Sequence, residues 1–204
     1  MTNVTIIGAG NMGSAFAGVA LAGGNNVQVL ARDAEKAEVN PGVSTGVVGD
    51  PITGDVVVLA LPYPALSEVL ETYAGQLDGK ILVDLTNPVD FATFDGLVVP
   101  ADSSAAAEIA AQVPGAHVLK ALNTNFAATL ATGTIGDART TVLIAGDDAD
   151  AKATFASIVT AGGLNAVDVG SLKRARELEA LGFLQLTLAA GEKISWTAGF
   201  SLVK

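Results

Sequence analysis

Three glycines near the N-terminus, Gly8, Gly10 and Gly13, have the G-x-G-x-x-G spacing of a dinucleotide-binding turn. They follow the β-branched run Val4-Thr5-Ile6-Ile7 and lead into a small-residue stretch from Asn11. That is the strand-turn-helix context which gives the spacing its meaning. Gly8 permits the tight turn, Gly10 lets the backbone approach a pyrophosphate, and Gly13 lets the helix pack close to the strand. Ala9, Asn11 and Met12 complete the turn, and the helix start offers unpaired N–H groups and a partial positive charge to phosphates. The segment Leu30-Ala31-Arg32-Asp33-Ala34-Glu35-Lys36 falls where such a domain reads the adenosine ribose. Ala31 stands where an NAD site would place a carboxylate. Arg32, and Lys36 four residues on, suit the 2′-phosphate of NADP if Asp33 caps a helix that contains Lys36. A rival register makes Asp33 the ribose ligand and leaves Arg32 solvated.

The other reactive side chains are few. The single histidine, His117, opens a strand far from the strand ends that face a cofactor, which suits a structural role, and there is no cysteine. No H-E-x-x-H or carboxylate cluster has metal-ligand spacing, and Ser103-Ser104 lack a nucleophile elbow and read as a helix cap. Carbonyl reduction wants an acid at the strand ends. Tyr63 and Lys120 are near that edge, each open to a structural or a catalytic reading. This inventory favours a reaction that is mainly positioned hydride transfer between two cofactors.

These residues need a scaffold, and the totals allow one. The 204 residues are 50% apolar and 16% charged, which suits a parallel sheet buried on both faces. A net charge of −10 argues against nucleic acid or an anionic membrane as partner. No apolar run approaches the roughly 18 residues of a membrane span, and no secretory leader is recognisable, so a cytoplasmic protein acting on small molecules is expected.

Alternating apolar runs predict strands at 26–31, 43–48, 55–61, 81–85, 117–122, 140–145 and 164–169 after the first strand. Helices are predicted at 11–22, 65–74, 103–112, 147–161 and 173–190, with a short one ending near 131 and a loop or lid at 89–100. The fold expected is α/β, a Rossmann doubly wound parallel sheet over 1–170 with a small C-terminal helical extension over 171–204. Ala60, Leu61 and Pro62 end one strand at the crevice and should pass over the middle of the dinucleotide, and Asn87-Pro88 end another. In the last helix Leu178, Leu181, Leu184 and Leu188 recur at helical spacing, a stripe for packing on the sheet or against a second subunit as a homodimer.

Several stretches together carry a resemblance: residues 7–13, Arg32 with Lys36, Leu59-Ala-Leu-Pro62, Ser103-Ser-Ala-Ala-Ala-Glu108, Lys120-Ala-Leu-Asn-Thr124 and Arg176-x-x-Glu179. The chain resembles the coenzyme F420-dependent NADP oxidoreductase family over nearly its whole length. The turn alone is also found in pyrroline-5-carboxylate reductases, whose Gly-Ser-Gly-Pro-rich segment has no counterpart in these residues. The resemblance implies hydride transfer between NADPH and the deazaflavin F420 in a cleft beside a small C-terminal part. It places residues 9–12 on the pyrophosphate, Arg32 and Lys36 on the 2′-phosphate, Ala60 and Pro62 on the nicotinamide half, and Ala127 on the carboxamide through its backbone. Asn87-Pro88 and Asn123-Thr124-Asn125 would lie near the deazaflavin. Two departures are Ala31, where a member has serine, and Asn123, where that member has histidine. F420 is anionic, and Lys173-Arg174-Ala175-Arg176 is the densest positive cluster, readable either as its landing strip or as an ordinary charged helix start. NADPH reduction of a flavin, ferric iron or a small imine or carbonyl, and non-catalytic NADP(H) sensing, stay open as alternatives.

Overall fold

The computed structural model describes residues 1–202; Val203 and Lys204, the end of the C-terminal extension expected over 171–204, lie outside the described residues. β1 (Asn3–Ile7) is buried beyond its first residue and pairs in parallel with β2 (Asn26–Ala31) and with β4 (Val56–Leu59). Outside β2 lies β3 (Ser44–Val47), and outside β4 lie β5 (Ile81–Asp84) and β6 (His117–Ala121), all parallel. The strand order reverses between β1 and β4, and this is the switch point at which open α/β sheets bind ligands.

Pleating sends successive side chains to opposite faces. Ile6, Val29 and Val58 join α1 (Asn11–Ala22) and α6 (Ala149–Ala161) in one core, while Ile7, Leu30 and Leu59 join α3 (Leu66–Thr72) and α4 (Ala105–Gln112) in the other. α2 is a single turn, Ala34–Ala37, directly after β2. The two cores make a three-layer sandwich, as the double-sided apolar strands required.

The far edge departs from a purely parallel sheet. After β6 come α5 (Ala127–Thr132) and a small hairpin, β7 (Thr134–Ile135) with β8 (Ala138–Arg139), that the sequence reading did not contain. β9 (Thr141–Gly146) then runs antiparallel to β6, and β10 (Asn165–Gly170) is parallel to β9. A parallel return needs a crossover of a dozen or more residues over the sheet, and the 6-residue α5 does not supply one. The sheet is thus eight-stranded and mostly parallel with a reversed edge pair.

The last helix begins with a 3-10 turn, Leu172–Arg174, and continues as α7 (Ala175–Ala190). Its buried face is Ala175, Leu178, Glu179, Gly182, Gln185 and Ala189. Of the expected leucine stripe only Leu178 is buried, and Leu184 is 50% exposed. The inward face is taken by polar side chains that tie the helix to the site.

Candidate functional site: two cavities divided by the glycine turn

Each fingerprint glycine answers a different local demand. Gly8 has φ +115° and its N–H donates to the Leu30 carbonyl at 2.8 Å; a side chain there would collide with the Ala60 carbonyl. A side chain at Gly13 would collide with the Gly8 carbonyl, so the helix sits directly against the turn. At Gly10 an added Cβ meets nothing within 4 Å. The open approach is therefore at the N-cap of α1, where no side chain caps the helix and its first amides are left for an anion. This cradle fits a pyrophosphate.

A cavity of about 440 Å³ opens on one side of the turn, lined by Gly8, Ala9, Gly10, Arg32, Lys36, Ala60, Leu61 and Pro62. The Asp33 carboxylate accepts from the Glu35 N–H at 3.1 Å and so caps α2, which carries Lys36 round to the same rim as Arg32. Both cations are exposed, and neither forms an ion pair among the described residues. Ala60, Leu61 and Pro62, the strand end expected to pass over the middle of the dinucleotide, line this cavity. β4 is the neighbour of β1 opposite β2, so its end faces the Arg32 rim across Gly8.

A second cavity, about 640 Å³, lies on the other side of the turn and is lined by Asn11, Met12, Asn87, Asn123 and Ala127. Asn125, Phe126, Leu186 and Trp196 complete much of its wall, and no lining residue carries an acid, a base or a charge. Gly13 and Pro88 line neither cavity. Gly13 is buried in the turn, and Pro88 is buried with its carbonyl accepting from the Val98 N–H at 2.8 Å, a loop brace.

The asparagines lock the strand ends together. Asn87 Nδ2 donates to the Asn123 carbonyl at 2.9 Å, and Asn123 Nδ2 donates to Asn87 Oδ1 at 2.9 Å and to the Leu178 carbonyl at 2.8 Å. These bonds bring the ends of β5 and β6 onto α7 at Gly182, where an added Cβ would lie 2.9 Å from Asn123 Nδ2 and closer still to Asn87 Oδ1. Gly182→Ala is accordingly expected to cost about 1–3 kcal/mol by overpacking, read by urea denaturation, and to weaken acceptor use more than NADPH binding. An unchanged midpoint would show that the pair gives way easily.

Beneath the pair lies a cluster that sequence reasoning missed. Lys120 is fully buried, with Nζ 2.7 Å from Asp84 Oδ2 and 2.9 Å from Glu179 Oε1, and it also donates to the Thr86 carbonyl. Glu179 in turn accepts from the Ala105 N–H at 3.0 Å and the Ala106 N–H at 3.3 Å, capping α4 together with Ser104, whose hydroxyl accepts from Ala107. Burial raises the Glu179 carboxyl above the ordinary carboxylate range, against the lowering pull of Lys120 and of the α4 amide. The available signal was a glutamate one position after Leu178, within the leucine-bearing stretch of the helix.

The remaining candidates are apart from both cavities. Tyr63 donates to Glu108 and its phenol is pushed up to about 12 by burial and by that carboxylate, and Lys120 spends its ammonium on carboxylates. Both are structural in this arrangement. His117 pairs with Asp148 at 3.1 Å at the start of β6, away from the strand ends that hold the cavities. In the cluster at 173–176, Arg174 pairs with Glu177 at 3.3 Å, and Arg176 borders a separate cleft with Ser103. Helical rise sets Arg176 about 15 Å from Leu186 along α7, so the cluster is not brought to the second cavity. Among the described residues no group of three His, Cys, Asp or Glu side chains could hold a metal, and no helix is long and apolar enough to cross a membrane.

A switch-point crevice, a glycine cradle at a helix start and cations without an ion pair among the described residues at the end of β2 are the features of a dinucleotide-binding fold. The chain matches, over residues 3–88, the family described as NADP oxidoreductase, coenzyme F420-dependent. It is 26% identical to the F420-dependent NADP reductase of Methanocaldococcus jannaschii, over 85% of this chain and 86% of that protein. The crystal structure of a candidate F420-dependent NADP reductase from Arthrobacter sp. FB24 superposes over 100% of both chains with a TM-score of 0.85 at 26% identity. The metalloreductase STEAP3 of Rattus norvegicus is 39% identical over 108 residues, 53% of this chain. The chain spans 21% of the length of that metalloreductase and 42% of a related glycerol-3-phosphate dehydrogenase of Paracoccus denitrificans.

Proposed function

We propose that this protein transfers hydride between NADPH and the ring of a deazaflavin such as F420, with the 2′-phosphate at Arg32 and Lys36 and the acceptor in the second cavity. The observation that carries this reading is the wall of that cavity, which has volume for stacked rings but no titratable side chain. NADPH supplies the hydride; the accompanying proton comes from water, because the lining contains no acid. A carbonyl or imine acceptor gains a developing anion or amine that a positioned acid would have to meet, and an anionic substrate or ferric chelate would want a charged partner. What the protein contributes is orientation and exclusion of water.

The test is mixing the protein with NADPH and oxidised F420 and following loss of the deazaflavin absorbance, with flavin, ferric chelate and cyclic imine assayed alongside. Bleaching of F420 well above the other acceptors is expected. No bleaching at micromolar enzyme would remove the acceptor assignment, and tight NADPH binding with no turnover on any acceptor would favour a sensing role.

A further inference from the structure

Trp196 is the only tryptophan of the chain, and 52% of it is exposed. It stands on a turn beyond α7 that closes with the Ala198 N–H donating to the Ser195 carbonyl at 3.0 Å and the Thr197 N–H to Ser195 Oγ at 3.2 Å. Its ring packs on Phe126 with centroids 5.0 Å apart, and it forms part of the second cavity's wall. The segment that carries it has no strand or helix of its own, so it needs another anchor. Gln185, buried in α7, supplies it: Nε2 donates to the Thr124 carbonyl and Oε1 accepts from the Phe200 N–H, both at 3.1 Å. One amide thereby fastens the tail to the turn between Asn123 and Asn125.

From this geometry we infer that Trp196 is a specificity-determining residue: it is the wall against which the planar heteroaromatic ring of the acceptor packs. An indole face left in water on the wall of an uncharged cavity is apolar surface that a flat ring would cover, and aromatic pairs of this kind gain beyond the area they bury. Asn123 and Asn125 also line this cavity, and their buried Oδ1 atoms have no hydrogen-bond partner among the described residues. The inference rests on the acceptor reading above for its ligand class, but its test separates the two.

The probe is 5-deazariboflavin, added to protein saturated with NADP⁺. Saturable quenching of the tryptophan emission is expected, since Trp196 is its single source. Trp196→Ala should raise the dissociation constant of the probe, read by the anisotropy of its own fluorescence, about tenfold or more, while Trp196→Phe stays within about threefold of the native protein. The NADP⁺ dissociation constant should change less than twofold in both. Absence of probe binding to the native protein, unchanged affinity in Trp196→Ala, or equal losses for probe and NADP⁺ would each overturn the assignment. A probe that binds through Trp196 but is never reduced by NADPH leaves the wall in place and refutes hydride transfer to a deazaflavin. Reduction at native affinity in Trp196→Ala does the reverse.

Discussion

Lys120→Met is expected to destabilise the protein by about 3–5 kcal/mol, the usual result of removing one partner from a buried charge cluster. Among the described residues the ammonium is the one cation within 4.0 Å of the Asp84 and Glu179 carboxylates, all of them buried, and its loss leaves two like charges facing each other out of water. The penalty has a defined pH dependence. Glu179, whose carboxyl burial already raises in the native protein, should keep a folded-state pKa above its unfolded one in the variant, where the lowering pull of Lys120 is gone. The folded variant then binds more protons at this group than the unfolded chain. The stability it contributes is fully present below the unfolded carboxylate range and is lost as pH rises through the raised value. Urea denaturation at pH 5 and pH 8 should therefore show a smaller deficit at pH 5, and Lys120→Met combined with Glu179→Gln should recover part of the loss at pH 8. An equal deficit at both pH values would mean that water reaches the cluster once the lysine is gone.

Arg32→Ala should weaken NADPH binding by about 10- to 100-fold, the range for losing a hydrogen bond to a charged group at about 1.5–3 kcal/mol. NADH affinity should change by less than about threefold, because the guanidinium would address only the 2′-phosphate. Arg32 has no ion pair among the described residues to lose, so its removal should leave the urea midpoint in place. Raising the salt concentration should narrow the gap between native and variant protein, since this rim is exposed. Fluorescence titration with both reduced cofactors decides it: equal losses for NADPH and NADH would return the ribose contact to Asp33.

Readability from sequence followed the range of the interactions. The glycine turn and the Asp33 cap with Arg32 and Lys36 are local, each satisfied within a few residues, and both stand where spacing put them. The fold class was readable because strands buried on both faces and the helices between them leave a periodic record. Strand direction leaves none, and so the reversed β9 was read as one more parallel strand. The Lys120 cluster joins residues from β5, β6 and α7, which share no spacing rule. The leucines of α7 show why a period alone misleads: it identified the helix, but the face that turns inward was set by Glu179 and Gln185, whose partners are distant in sequence. Trp196 was passed over for the same reason, since only the Gln185 anchor brings the tail to Phe126.

The glycine turn separates a rim that holds Arg32 and Lys36 from a chamber that holds Asn123 and Trp196, with no lining residue in common. With the donor and acceptor placed as proposed, the two specificities would be independently heritable. Changes at residues 31–36 can retune the choice of electron donor while the chamber is untouched, and drift in the chamber can recruit a new oxidant without loss of the donor. A lineage, or an engineer, can alter either one in a single step.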